Sequence, residues 1–214
     1  MVSQTTTESQ TTKALLKTAG TTYAAQAGIT LADKPAPLYR LLVLSVLLST
    51  RIKAEIAVAA ARELSEFGTP RKMRDATWQQ RVDSLGRGHY VRYDESTATA
   101  LGQGADLLLE RYQGDLRKLR DPESPRETRQ RLAEIPKLGP VGVHIFCREA
   151  QAVWPELRPY LDKKALSGAE KIGLPTTADE LAALVDERDL ARLSAALVRV
   201  TLEKDLADEV TQAA

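Results

Sequence analysis

The chain has 214 residues, and 30 Lys plus Arg stand against 29 Asp plus Glu for a formal net charge of +1. That length suits one large domain or two small ones sharing a cleft. The balanced charge excludes a generic coat for polyanions while leaving room for a local basic face. The single cysteine, Cys147, excludes an intramolecular disulfide framework and any all-cysteine zinc or iron–sulfur site, and His89 and His144 are too far apart in sequence to form a metal-ligand pattern. Reducing, intracellular solution is the expected compartment.

The first dozen residues, MVSQTTTESQTT, are polar, lack the apolar core of a signal peptide, and are expected to be disordered to about Thr12. Helix signals follow over Lys13–Ala27, closing at Gly28. KPAP at Lys34–Pro37 breaks the chain, and Leu38–Leu48 (LYRLLVLSVLL) then reads as a helix buried on nearly every side. It is too short to cross a bilayer, which takes roughly 20 apolar residues. Ala54–Phe67 carries Ile56, Ala60 and Leu64 four apart on one face and stops at Gly68. Ala76–Leu85 reads as a short helix capped by Asp75 and ended by Gly86. Ser96–Tyr112 and the charged Glu123–Ala133 follow, then Val143–Val153 and a Pro-punctuated link around Trp154–Pro159. Lys163–Ile172 ends at Gly173, Thr177–Glu180 is a capping-box pattern for a helix through Val185, and a last helix spans Leu190–Ala207. The expected class is all-α, built from about ten short helices.

Two stretches can carry chemistry. Ile135-Pro136-Lys137-Leu138-Gly139-Pro140-Val141-Gly142 is a tight turn between helical patterns. It is either an ordinary helix–helix turn or a small anion nest of N–H groups at a helix N-terminus. In Tyr160-Leu161-Asp162-Lys163-Lys164, Asp162 sits where an aspartate caps the following helix. Read in isolation, it is a cap before it is a catalyst.

In order along the chain, these stretches join others. Leu47-Leu48-Ser49-Thr50 leads into the loop Arg51-Ile52-Lys53, Leu85-Gly86-Arg87-Gly88-His89-Tyr90 forms a turn, and Tyr112-Gln113-Gly114-Asp115-Leu116 a connector. Together with the turn at Ile135–Gly142 and the Leu161-Asp162 pair, this series resembles the helix-hairpin-helix DNA glycosylase superfamily, with most likeness to its endonuclease III branch, from about Leu38 to Leu174. The resemblance implies a two-lobed all-α fold: a helical-barrel lobe over residues 35–153 with the hairpin at 135–142, and a second lobe from residues 13–34 plus 154–214. It implies double-stranded DNA containing a lesion as partner, extrusion of the damaged base into a cleft, and hydrolysis assisted by Asp162 as the catalytic carboxylate. The implied DNA-binding residues are Lys137, Leu138, Gly139, Pro140, Val141 and Gly142 of the hairpin, with Arg51, Lys53, Arg87, His89 and Lys163; Arg92 and Lys164 fall on the same stretches. Arg51 would fill the gap left by the extruded base, and His89 or Tyr90 would wedge the opposite strand.

The sequence departs from the family twice. The hairpin lysine that forms a Schiff base in bifunctional members is replaced by Val141, so a monofunctional enzyme with weak or absent lyase activity is expected, although Lys137, Lys163 and Lys164 lie close by. The chain ends Val200–Ala214 without the cysteines of a [4Fe–4S] loop, so no cluster and no other cofactor is expected. Cluster-free relatives that act on 3-methyladenine tilt the expectation toward alkylated bases. A monomeric intracellular repair enzyme, working with the chromosomal DNA and away from membranes, is the leading reading. A catalytically silent binder of distorted or abasic DNA is the alternative. Trp154 and Tyr160 are the candidate aromatics beside the pocket.

Overall fold

A computed structural model describes residues 2–214; Met1 lies outside the described residues. Among the described residues the chain is all-α, with thirteen α-helices, four short 3-10 turns and no strand. None of these helices is long and apolar enough to cross a membrane. The chain divides into two compact units. One comprises the residues up to Tyr23 together with Arg148–Ala214, and the other Ala24–Cys147.

Helix α2 (Tyr23–Gln26) begins in the discontinuous unit and enters the continuous one, where the chain turns at Gly28, whose φ of +69° suits glycine. Helix α3 (Pro35–Leu48) starts earlier than Leu38 because Pro35 occupies its first turn, where a missing N–H costs nothing. Its Leu38, Leu41, Leu44 and Leu47 are fully buried, and Tyr39, Leu42, Val43 and Val46 nearly so, confirming a helix covered on nearly every side. Helix α4 (Ala54–Glu63) runs on through a 3-10 turn at Leu64–Phe67. Two short helices follow: α5 (Pro70–Asp75), capped by the Thr69 hydroxyl, and α6 (Trp78–Arg87). The α6 cap is a Thr77–Gln80 capping box rather than Asp75, so the helix starts later and runs past Gly86. Gly88 lets the end of α6 press on α4, since a Cβ there would lie 2.4 Å from Ala60 Cα. Helix α7 (Asp94–Tyr112) packs on α5 and α6, and the buried Arg81 guanidinium clamps the three by donating to Met73 O, Ala76 O and Ala98 O. Helix α8 (Pro125–Ala133) is capped by Ser124. Helix α9 (Gly139–Ala150) begins in this unit and ends in the other.

The second unit gathers α1 (Val2–Ala19), α10 (Lys163–Lys171), α11 (Ala178–Ala182), α12 (Leu190–Leu202) and α13 (Leu206–Gln212). The polar head, expected to be disordered, is helical from Val2. Thr11 and Thr12 are buried, and the Thr12 hydroxyl donates to Glu8 O at 2.8 Å, so short polar side chains pack without a charge to desolvate. The helix breaks at Gly20, well before Gly28, and Tyr23 N–H finds a cap in the Glu149 carboxylate at 2.8 Å. Leu15, Leu161, Ala165, Ala169, Leu193, Ala196 and Leu197 build the core. Helices α10 and α12 approach so closely at Gly168 that a Cβ would fall 1.9 Å from Leu197 O. The last helix expected over Leu190–Ala207 is two, parted after Leu202.

Candidate functional site

Residues from distant parts of the sequence meet in the continuous unit through one chain of polar contacts. Lys137 Nζ donates to Thr97 Oγ1 at 2.8 Å and to Ser96 Oγ at 2.5 Å. Thr97 Oγ1 donates to Tyr90 OH over a long 3.5 Å. Tyr90 OH and Thr50 Oγ1 lie 2.9 Å apart, and Thr50 passes its own proton to Leu47 O at 2.9 Å. Every hydroxyl in this series has a donor on one side and an acceptor on the other. In addition, the Ser49 hydroxyl is shared between Val46 O at 2.8 Å and Lys137 O at 3.3 Å. The end of α3, the α6–α7 turn, the first turn of α7 and the start of α9 are thereby joined.

The hairpin itself is built on unusual backbone. Lys137 has φ +65° and Gly139 φ +58°, so two left-handed residues turn the chain from α8 into α9. Glycine pays nothing for this; lysine does, and its bonds to Ser96 and Thr97 hold it there. Leu138 is a core side chain at 1 % exposed, leaving only its backbone for a ligand. Gly142 lets Leu138 pack close against α9, since a Cβ there would come within 2.6 Å of Leu138 Cδ1 and force that side chain to shift. Pro140 and Val141 point outward, with Val141 58 % exposed. As Pro140 carries no N–H, Gly139 and Val141 supply the donors of this first helical turn.

The cations of this unit differ in character. Arg51 and Lys53 are exposed, the first next to Thr50 and the second at the start of α4. His89 is exposed at φ +61°, at the tip of the α6–α7 turn. Tyr90 is fully buried and is no wedge: its ring belongs to the core and its hydroxyl to Thr50. Arg87 forms ion pairs with Glu63 at 2.8 Å and Glu66 at 2.7 Å, so its charge is already answered. Arg92 lies 5.2 Å over the Tyr93 ring, and Lys137 5.6 Å from the same ring. Burial lowers the pKa of the Lys137 ammonium.

In the other unit, Asp162 is the N-cap of α10. Its Oδ1 accepts from Ala165 N at 3.2 Å. Arg148, in the last turn of α9, sets Nη1 at 3.4 Å from Oδ1 and 3.5 Å from Oδ2, and both side chains are only 11 % exposed. Gln151, fully buried, clamps the chain leading to Asp162: its Nε2 donates to Tyr160 O at 3.0 Å and to Arg148 O at 2.9 Å, and its Oε1 accepts from Tyr160 N at 2.9 Å. Ser194 Oγ adds a donor to Tyr160 O at 3.2 Å. Lys163 and Lys164 project at the start of α10. Burial and then the Arg148 charge lower the Lys164 ammonium, against an opposing pull from Asp162. Trp154 is fully buried, and Tyr160 is half-buried. On α9, Phe146 and Cys147 are fully buried, whereas His144 is exposed.

Sequence reasoning missed Arg148 and Gln151. The signal was present as Arg-Glu-Ala-Gln following the apolar HIFC stretch, where charged and amide groups inside an apolar helix demand buried partners.

No family model matches this chain, and no curated protein does. A solved structure, "Structure of a Trapped Endonuclease III-DNA Covalent Intermediate: Estranged-Adenine Complex", is similar to it with a TM-score of 0.48 and 13 % identity, covering 82 % of this chain and 79 % of that one.

Proposed function

We propose that the protein is a DNA glycosylase that extrudes a damaged base from duplex DNA and hydrolyses its bond to the sugar with the help of Asp162. The observation that carries this reading is the setting of that carboxylate. It is almost sealed from water, fixed on one oxygen by a helix N-terminus, and follows a chain segment that buried Gln151 clamps at Tyr160, two residues before it. Departure of a base leaves positive charge on the sugar, and a fixed anion in a water-poor place stabilises it without reorganising. The left-handed hairpin at Lys137 and Gly139, with exposed Pro140 and Val141, supports contact with a strand backbone through N–H groups. Arg51, Lys53, His89 and Lys163 are the exposed candidates for further DNA contact.

We further propose that release is monofunctional and needs no resident cofactor. Val141 offers no nucleophile, and the Lys137 amine is engaged by two hydroxyls. A panel of duplexes bearing single lesions, with alkylated purines first, tests the reading under single-turnover conditions. Wild type should release one class of base and Asp162→Asn none. Borohydride should trap no covalent adduct on an abasic duplex; a strong adduct would overturn the monofunctional assignment. A second reading, a silent binder of distorted or abasic DNA, is favoured by the Arg148–Asp162 pair, since a carboxylate already paired with a cation has less charge to lend to a transition state. Tight binding of every lesion with release of none would establish it.

A further inference from the structure

Arg199, on α12, is 8 % exposed and lies 4.8 Å over the Tyr23 ring. Its Nε and Nη2 are sealed from solvent, and among the described residues neither finds a hydrogen-bond acceptor. These two nitrogens form the edge of the guanidinium that grips two oxygens of a phosphate or carboxylate side by side. Buried guanidinium groups ordinarily have partners, so a covered and unsatisfied edge of this kind calls for one.

The neighbourhood agrees with that reading. Burial raises the Tyr23 hydroxyl, and Arg199 opposes this first through its charge and then through a side-chain hydrogen bond, with Glu203 raising and Arg148 lowering it further. Arg148 in turn pairs with Asp162 and disfavours the charge on Lys164. Three cations thus share one region of this unit with Asp162. Glu203 is exposed just past the end of α12, and the Glu149 carboxylate is engaged by the Tyr23 amide.

We infer that the Arg199 edge, with Tyr23 as its platform, is an oxyanion site that takes a phosphodiester of the DNA strand carrying the extruded nucleotide. The identity of the anion rests on the glycosylase reading, whereas the oxyanion chemistry rests on Arg199 alone. Because the edge is covered, a bound phosphate is enclosed, where a charge-assisted pair is strongest. Half-buried Tyr23, on a helix of one turn, is the side chain that can move to admit it.

The test uses the full chain and two probes: inorganic phosphate, against chloride at matched ionic strength, and a short duplex with an abasic-site analogue. Phosphate should raise the Tm of wild type by a few degrees and leave Arg199→Gln unmoved. Without phosphate, Arg199→Gln should melt close to wild type, since the buried charge it removes leaves two nitrogens unsatisfied and its bond to Tyr23 is the interaction lost; an arginine held only for structure would cost clearly more when replaced. Duplex affinity should fall about tenfold in Arg199→Gln, and its salt slope by about one. Arg199→Lys keeps the charge without the fork and should lose most of both effects; it carries the comparison if the glutamine variant does not fold. Equal phosphate shifts in wild type and variants overturn the site. A phosphate shift that needs Arg199, with duplex affinity unchanged or absent, overturns the phosphodiester and leaves an oxyanion site for a free phosphate. Loss of base release with duplex binding through Arg199 intact would count against the glycosylase reading alone.

Discussion

Asp162 holds two positions at once, as the cap of α10 and as the partner of Arg148, and substitutions can separate them. Asparagine caps a helix about as well as aspartate. Asp162→Asn keeps the cap and an acceptor for Arg148 but not the charge, so it should fold with a smaller loss of stability than alanine while losing base release, read by single-turnover kinetics beside urea denaturation. Asp162→Ala loses the cap, worth about 1 kcal/mol, and also strands Arg148 in a nearly buried place, so the total loss should reach at least about 2 kcal/mol. The two lysines give a test in pH. Lys137 and Lys164 are both lowered from 10.5 in the folded protein, so between their lowered values and 10.5 the unfolded chain holds more protons. Stability contributed by these groups must then rise with pH across that window. Urea unfolding of wild type at pH 8 and pH 9.5, below the range where the raised Tyr23 and Tyr39 act in the opposite sense, should show a positive slope that Lys137→Gln with Lys164→Gln flattens. The cap at Asp162 was legible because helix signals are local. Arg148 lies 14 residues before Asp162 and Gln151 9 before Tyr160, and only the folded path brings these pairs together.

Among the elements, close approach is written in glycines that the sequence shows but cannot interpret. Gly168 lies in the middle of α10, where glycine lacks any helical advantage, and the reason is α12 lying against it. Gly168→Ala drives a methyl into Leu197 O and should cost about 3 kcal/mol or more, because both partners are backbone-bound and cannot yield. Gly86, inside α6, has nothing within 4 Å of its would-be Cβ. Gly86→Ala should gain about 0.5–1 kcal/mol from helix propensity. Urea midpoints measured on both variants decide whether packing or propensity placed each glycine; a small loss in Gly168→Ala would mean that α10 shifts on α12. The order of helices was legible because apolar spacing and caps are local. What stayed hidden were breaks and caps where several local signals compete. Thr77 with Gln80 outcompetes Asp75, and the six-residue α5 shows only Met73 and Pro70 to the core, too few for a period. At the end of the polar head Thr11 and Thr12 are buried, which no composition rule anticipates.

For the molecule as a whole, a net charge of +1 says little until each cation is located. The cations that the sequence assigned to DNA divide by what they touch. Arg87 is answered by Glu63 and Glu66, while Arg51 and Lys53 are exposed around the end of α3, beside the Thr50–Tyr90 bond that fixes their loop. A cation that already holds two carboxylates releases few counterions when DNA arrives; an exposed one releases close to a full count. Duplex affinity measured from low to moderate salt should therefore lose about one unit of log–log slope in Arg51→Gln and about one in Lys53→Gln. Arg87→Gln should change the slope less than either, and the Glu63 and Glu66 it frees should weaken binding most at low salt, where their repulsion of the backbone is least screened. The reverse pattern, with Arg87 carrying the slope and Arg51 none, would place the strand along α4 and α6 and away from the α3 loop, and with it would go the reading of that loop as a probe of DNA.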